Sequence, residues 1–474
     1  MQSESLQLYG QGIWDYIVLA IFAAVTIWIA FTKPYRIIYI LPACLTFYFF
    51  IEMGTRWTPE KIVPPIFILS LILNPHVKFN LEIFKDSWFR SFLIVVFMAT
   101  IWGLFSSENY AILEGKNFSF QSPFFRTIIQ MFTYLNYLLI YSIIWYNSQN
   151  IDRILSFFRF YIGTTTFLCL YAGYQILAYN ISLPFRGIVY NADKVGIGAF
   201  KSAEDLIFRV NSFCIEPKQF SITLAISIIL LIVSLDIHQK QFEIKLFSRN
   251  FLSYFLILIH SICFFLTYSS STYISVSIFV IFYLMINISK NGFSKSVNLI
   301  MLCIVVFLII YLLFDLKFFD DIFQSRISNQ LNTRRLEYYA LDLILRKPEL
   351  IVFGVGLGNY NFLLNQEFAG SAGVFEGGFL DVLSSHLLTI LFDIGLVGAS
   401  ILWFPALKLV LNYTNRLFDS YKNNSIYIYD IFSYLFLGLF FIAIFLNPTS
   451  TYLAFLAAFR SLNGRRLFPS SNNY

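Results

Sequence analysis

The sequence predicts an all-α fold, a polytopic transmembrane helix bundle of about 12–13 helices with two long loops on one side, the second containing an amphipathic helix. Three observations predict it. Hydrophobic residues make up 58% of the 474 positions and charged residues only 13%, too few to cover a water-facing surface. Apolar runs close to the roughly 20 residues that cross about 30 Å of hydrocarbon recur from end to end. Lysine and arginine collect in alternate short connections, as in a chain threaded back and forth through a bilayer. Residues 1–474 read as one integral membrane domain, with large loops at 180–213 and 315–385.

Helices are expected at 13–31, 37–53, 62–73, 89–105, 124–146, 154–179, 214–234, 251–268, 272–288, 297–314, 386–411 and 426–446, with a short one at 450–460. The stretch Met1 to Gly10 lacks a basic region and the first apolar run lacks a small-residue cleavage site, so that run is expected to stay as a helix. The third segment opens at Pro64 and Pro65 and is short, which makes a re-entrant hairpin the alternative to a crossing. Cys44, Cys169, Cys214, Cys263 and Cys303 sit in or beside apolar runs with no CxxC spacing, and read as core residues rather than disulfides or metal ligands.

Charge sets the orientation. With the N-terminus outside, the inner connections hold a series of cations from Lys33 and Arg36 to Arg460, Arg465 and Arg466, while the short outer ones hold only Arg56, Lys61, Lys116 and Arg126. Both long loops then fall outside and carry cations against that rule: Arg186, Lys194, Lys201, Arg209, Lys218, Lys317, Arg326, Arg334, Arg335, Arg346 and Lys347. An anionic guest at the outer face would account for them. In the second loop Leu336, Tyr339, Ala340, Leu343 and Ile344 recur at helical spacing and Pro348 ends the run, giving an amphipathic helix with Arg335, Asp342 and Arg346 on its other side. The following Phe353-Gly354-Val355-Gly356-Leu357-Gly358-Asn359 reads as a tight turn, because no βαβ unit surrounds it.

Three clusters carry chemistry. In Arg209-Val210-Asn211-Ser212-Phe213-Cys214-Ile215-Glu216-Pro217, proline at the first helical position places Glu216 at a helix start, as a cap or as the wall of an outer cavity shared with Arg209. Arg334 and Arg335, with Arg326 and Arg346, offer planar forks suited to phosphate oxygens, whether of a diphosphate or of lipid headgroups. His386 opens a transmembrane helix, where an imidazole exchanges protons near neutrality or serves as a structural residue, and Asp393 lies two turns on, near enough to neighbouring polar groups to bond them. The Ser269-Ser270-Ser271-Thr272 run either bonds a sugar or satisfies helix ends. No DxD, HExxH or Walker pattern stands in a loop, which argues against a metal-dependent nucleotide-sugar enzyme.

The order of these parts, R-x-x-S-F-C-x-E-P-x-x-F, T-Y-S-S-S, R-x-E-Y-Y, F-G-V-G-L-G-N and S-H-L-L-x-x-x-x-D-x-G-L-V-G, resembles the O-antigen polymerase and O-antigen ligase superfamily of bacterial envelope glycosyltransferases. The motifs run from Arg209 to Gly398, and the hydropathy likeness covers the chain. Leu387 stands where the family often has asparagine, and Ser271 where it often has arginine.

The resemblance implies a multi-pass inner-membrane protein whose site faces the periplasm. The implied substrate is a polyprenyl-diphosphate-linked oligosaccharide, used without metal, cofactor or nucleic acid. Membrane lipids surround the chain, and a chain-length regulator and a flippase are its expected partners. Arg209 and Arg335 are implied as diphosphate contacts, with Arg186, Arg326, Arg334 and Arg346 as further candidates. His386 or Glu216 is the expected base, and Arg335 the expected electrostatic catalyst. The expected activity is polymerisation of repeat units. A ligase that moves finished glycan to lipid A core shares the donor chemistry, and a lipid-linked glycan flippase is the alternative from another class.

Overall fold

The computed structural model describes residues 13–52, 56–76, 81–110, 122–148, 150–181, 183, 199–201, 206–214, 216–238, 250–291, 336–368, 383, 385–416 and 426–463. They form a helical protein. Its α-helices are α1 (Ile13–Thr32), α2 (Ile37–Thr46), α3 (Pro59–Leu73), α4 (Ser87–Ser106), α5 (Pro123–Asn147), α6 (Ile151–Ile181), α7 (Pro217–His238), α8 (Asn250–Leu266) and α9 (Ser270–Asn291). They continue as α10 (Leu336–Arg346), α11 (Glu349–Phe353), α12 (Tyr360–Glu367), α13 (His386–Arg416), α14 (Ile426–Phe445) and α15 (Thr449–Asn463). Two short antiparallel pairs, Ile51–Glu52 with Arg56–Trp57 and Ala199–Lys201 with Leu206–Phe208, are the strands among the described residues. The helix expected at 297–314 lies outside them.

Six described helices, α1, α4, α5, α6, α7 and α13, contain a stretch long and apolar enough to cross a membrane, and α8, α9 and α14 contain shorter apolar ones. Over its most apolar stretch α7 is 83% buried and α1 only 28%. The first is therefore central and the second peripheral. Rim helices turn Met98, Phe105, Leu170 and Leu177 outward, all more than half exposed, as lipid-facing side chains do.

Three expected segments differ in form. The second helix stops at Thr46 instead of 53, where Phe47 turns extended. The amides that follow are taken up elsewhere, Tyr48 N–H by Phe213 O at 2.7 Å and Phe50 N–H by Asp15 Oδ1 at 3.1 Å. The third begins earlier, at Pro59, and runs straight through Pro64 and Pro65. Proline at 64 cannot donate to the carbonyl of Glu60, and Asn136 Nδ2 donates to that oxygen instead, at 2.9 Å. The helix expected as one rod at 386–411 is broken at Gly395 (φ 65°, ψ −176°), a conformation essentially confined to glycine.

The expected amphipathic helix is α10. Tyr339, Ala340 and Leu343 are buried in a small second core with Val355, Tyr360, Leu364 and Phe392, while Arg346 and Asp342 pair on its exposed side at 2.5 Å. The glycine turn that follows packs onto the bundle. Gly354, Gly356 and Gly358 all have positive φ, and a Cβ on Gly356 would stand 2.3 Å from Gly103 Cα of α4. Val355 N–H donates to Phe392 O at 2.7 Å, which fastens the turn to the break in α13.

Candidate functional site

The segment before α7 is held rigid by groups that sit far away in sequence. Gln175 of α6 is its anchor: its Oε1 accepts from Ser212 N–H at 2.9 Å and its Nε2 donates to Asn211 Oδ1 at 3.2 Å. Ser212, at φ 51°, donates its hydroxyl to Leu168 O at 2.7 Å. Arg209 is thereby set against the α8–α9 connection, where Nε donates to Thr267 O at 2.9 Å and a terminal nitrogen to Tyr268 O at 3.3 Å. Burial pulls Arg209 down to about 10, and the neighbouring Tyr273 and Glu216 act in the opposite direction. It stays cationic at neutral pH.

Glu216 is exposed at the start of α7, and its carbonyl accepts from Gln219 N–H at 3.0 Å and Phe220 N–H at 3.2 Å. Pro217 at the first helical position has no N–H that would need such a partner. In the serine run Ser269 and Thr272 are buried: Thr272 Oγ1 lies 2.7 Å from Ser221 Oγ and 2.9 Å from Ser269 Oγ, tying α7 to the α8–α9 connection.

Beside this segment lies a cavity of about 120 Å³. One wall is Phe47 and Tyr48, another Glu60 and Gln219 at the starts of α3 and α7, and a third Asn447, Ser450 and Thr451 where α14 passes into α15. Ser450 Oγ donates to Glu60 Oε1. Carboxylate, amides, hydroxyls and aromatic rings in one small hollow are the groups that bind sugar hydroxyls and ring faces.

His386 stands behind the third wall. Its backbone N–H donates to Leu446 O at 3.2 Å and its Nδ1 lies 2.7 Å from Thr449 Oγ1. The ring is 1% exposed, and Nε2 is buried with no partner. Asp393 goes another way. Its Oδ1 accepts from Gly358 N–H at 2.9 Å, and its Oδ2 from Tyr134 Oη at 3.1 Å and Gln130 Nε2 at 3.5 Å. It joins the glycine turn to α5, as its expected contact with polar neighbours implied.

Of the residues expected at the site, Arg209, Glu216 and His386 lie at the end of the bundle that holds the cavity. Arg346 instead pairs with Asp342 and stacks its guanidinium 5.7 Å from the Phe368 ring. Arg186, Arg326, Arg334 and Arg335 lie outside the described residues. Sequence reasoning passed over Glu60, Gln175, Gln219, Asn447 and Ser450. Two of them follow a readable pattern, since Glu60 sits in Thr58-Pro59-Glu60 and Ser450 in Asn447-Pro448-Thr449-Ser450, both proline-marked helix starts. Gln175 stands inside an apolar helix with nothing local to mark it, and Gln219 lies in the first turn of α7, just after Pro217. Among the described residues no three His, Cys, Asp or Glu side chains gather as a metal site. In comparison with known proteins, the chain matches no family profile and no curated protein.

Proposed function

We propose that this protein is a membrane glycosyltransferase that polymerises polyprenyl-diphosphate-linked oligosaccharide repeat units at the periplasmic face of a bacterial inner membrane. The observation that carries the reading is convergence. Three motif segments far apart in sequence, 209–216, 267–272 and 385–386, come together at one end of a lipid-embedded helical bundle: Arg209 bonds Thr267, Cys214 lines the polar cavity, and His386 is bonded to Thr449, between the lining residues Pro448 and Ser450.

In the proposed reaction a hydroxyl of one lipid-linked unit attacks the anomeric carbon of another. The carbon–oxygen bond to phosphate breaks, and the polyprenyl diphosphate leaves with the bonding electrons. Arg209 and Arg335 stabilise the charge that develops on the leaving group, a contribution of several kcal/mol, roughly 3. The acceptor proton passes to His386 Nε2 or to the Glu216 carboxylate. The leaving group supplies the driving force, so no nucleotide is consumed.

Deletion of the gene in its host, with the envelope polysaccharide resolved by size, tests the reading. A polymerase predicts loss of the long ladder with a single repeat still on lipid A core. Bare core with accumulated lipid-linked polymer would instead identify a ligase, and an unchanged ladder would rule out both. Elongation of a lipid-linked donor by purified protein in detergent separates catalysis from transport of the same molecule.

A further inference from the structure

The connection between α14 and α15 determines which nitrogen of His386 carries the proton. Thr449 N–H donates to the side-chain oxygen of Asn447 at 3.3 Å. A backbone nitrogen only donates, so the atom facing it is the amide oxygen and the side-chain amide has one orientation. The Thr449 hydroxyl lies against that same oxygen. An amide oxygen has no proton to give, so the hydroxyl spends its single proton there and turns lone pairs toward His386 Nδ1, 2.7 Å away. Two lone pairs at that distance repel. Nδ1 must therefore be the donor.

We infer that Asn447 and Thr449 are positioning residues that hold His386 as its Nδ1–H tautomer and leave Nε2 as a fixed, unprotonated base. The burial of Nε2 without a partner agrees with this. An orphaned acceptor in a protein interior costs about 1–3 kcal/mol, and such groups persist where function uses them. The catalytic use of this nitrogen rests on the glycosyltransferase reading above, in which the acceptor hydroxyl gives its proton to Nε2. The ring then becomes an imidazolium whose Nδ1–H remains on Thr449, so the charge forms with its hydrogen bond already in place.

The test uses the full chain in lipid nanodiscs with nitrogen-15 histidine, at about pH 8 so that an ordinary imidazole is neutral. Subtraction of the His386→Gln spectrum assigns the ring. The expected wild-type signals are a protonated Nδ1 and an unprotonated Nε2, retained in Thr449→Ser and replaced by a mixture of tautomers in Thr449→Val. Elongation of a lipid-linked donor should fall about tenfold or more in Thr449→Val and recover in Thr449→Ser. A protonated Nε2 in the wild type overturns the inference whatever the activity, and needs no variant that must fold. The expected tautomer with full activity in Thr449→Val would overturn the catalytic role alone, leaving the hydrogen-bond geometry intact.

Discussion

The imidazole of His386 lies 5.5 Å, centroid to centroid, from the indole of Trp403, although seventeen positions of α13 separate them. A continuous helix would place them about 25 Å apart. The break at Gly395 folds the first two turns of α13 back beside the rest, and this brings the histidine to the α14–α15 connection. The corner is made by two glycines in backbone contact. A Cβ on Gly395 would meet Val352 O at 2.5 Å, and a Cβ on Gly354 would meet Gly395 N at 2.8 Å.

Gly395→Ala should therefore destabilise the protein by about 1–3 kcal/mol from the backbone conformation alone, with the steric clash added to it. Thermal unfolding in detergent, followed by tryptophan fluorescence, measures it. A midpoint equal to that of the wild type would mean that the corner is not rigid.

Asp393 is the bond between that corner and α5. Asp393→Ala strands Gly358 N–H and the Tyr134 hydroxyl and should cost about 3 kcal/mol, while Asp393→Asn keeps an oxygen for Gly358 and should cost about 1 kcal/mol. Equal losses in the two variants would show that the amide bond to Gly358 contributes little.

At the other end of the bundle Asp86 caps α4 and accepts both Nε and a terminal nitrogen of Arg460, together with the Tyr141 hydroxyl at 2.7 Å. The Arg460 side chain is 24% exposed and the Asp86 side chain 8%, so the pair is largely shielded from solvent. Either single alanine variant should lose about 3 kcal/mol, and the double variant less than the sum. Additive losses in a double-mutant cycle would remove the pair as a staple between α4 and α15.

Arg335→Ala should lower elongation about a hundredfold, and Arg209→Lys about tenfold, because an ammonium cannot hold the carbonyls of Thr267 and Tyr268 as a fork. Single-turnover assays on a lipid-linked donor read both. Unchanged polymer length and yield in a well-expressed Arg335→Ala protein would defeat its assignment.

Arg346, paired on an exposed helix face, should behave differently in stability. Arg346→Ala should shift unfolding by less than about 0.5 kcal/mol. A loss of activity in a variant with unchanged unfolding would then assign the residue to substrate, whereas a large loss of stability would assign it to the fold.

Hydropathy and spacing were enough to place most of the long apolar helices to within a few residues, because lipid burial demands long apolar runs and an apolar run is a local property, whereas the short α11 and α12 of the second loop were not expected. The stripe of α10 was legible for the same reason. The end of α2 was not, since Thr46 and Phe47 carry no stop signal and the extended backbone is held by Phe213 and Asp15. Nor was the corner at Gly395: a glycine inside an apolar helix is common, and only the approach of Gly354 from another segment fixes its dihedrals. Arg209, Glu216 and His386 stood out as ionisable groups at the edges of apolar runs. Gln175 and Asn447 did not, because what distinguishes an anchoring amide is the partner it finds.

The corner in α13 also fixes the order in which this end of the molecule can be completed. Gly354, which shapes the corner, leaves the ribosome before Gly395, but Leu446 and Thr449, which receive the backbone and ring of His386, leave it some sixty residues after the histidine. The turns from His386 to Ile394 are synthesised without these partners. Closure must wait until Thr449 has been made, so a ribosome-bound chain that ends before residue 446 holds every expected site residue and still lacks the pocket for its histidine.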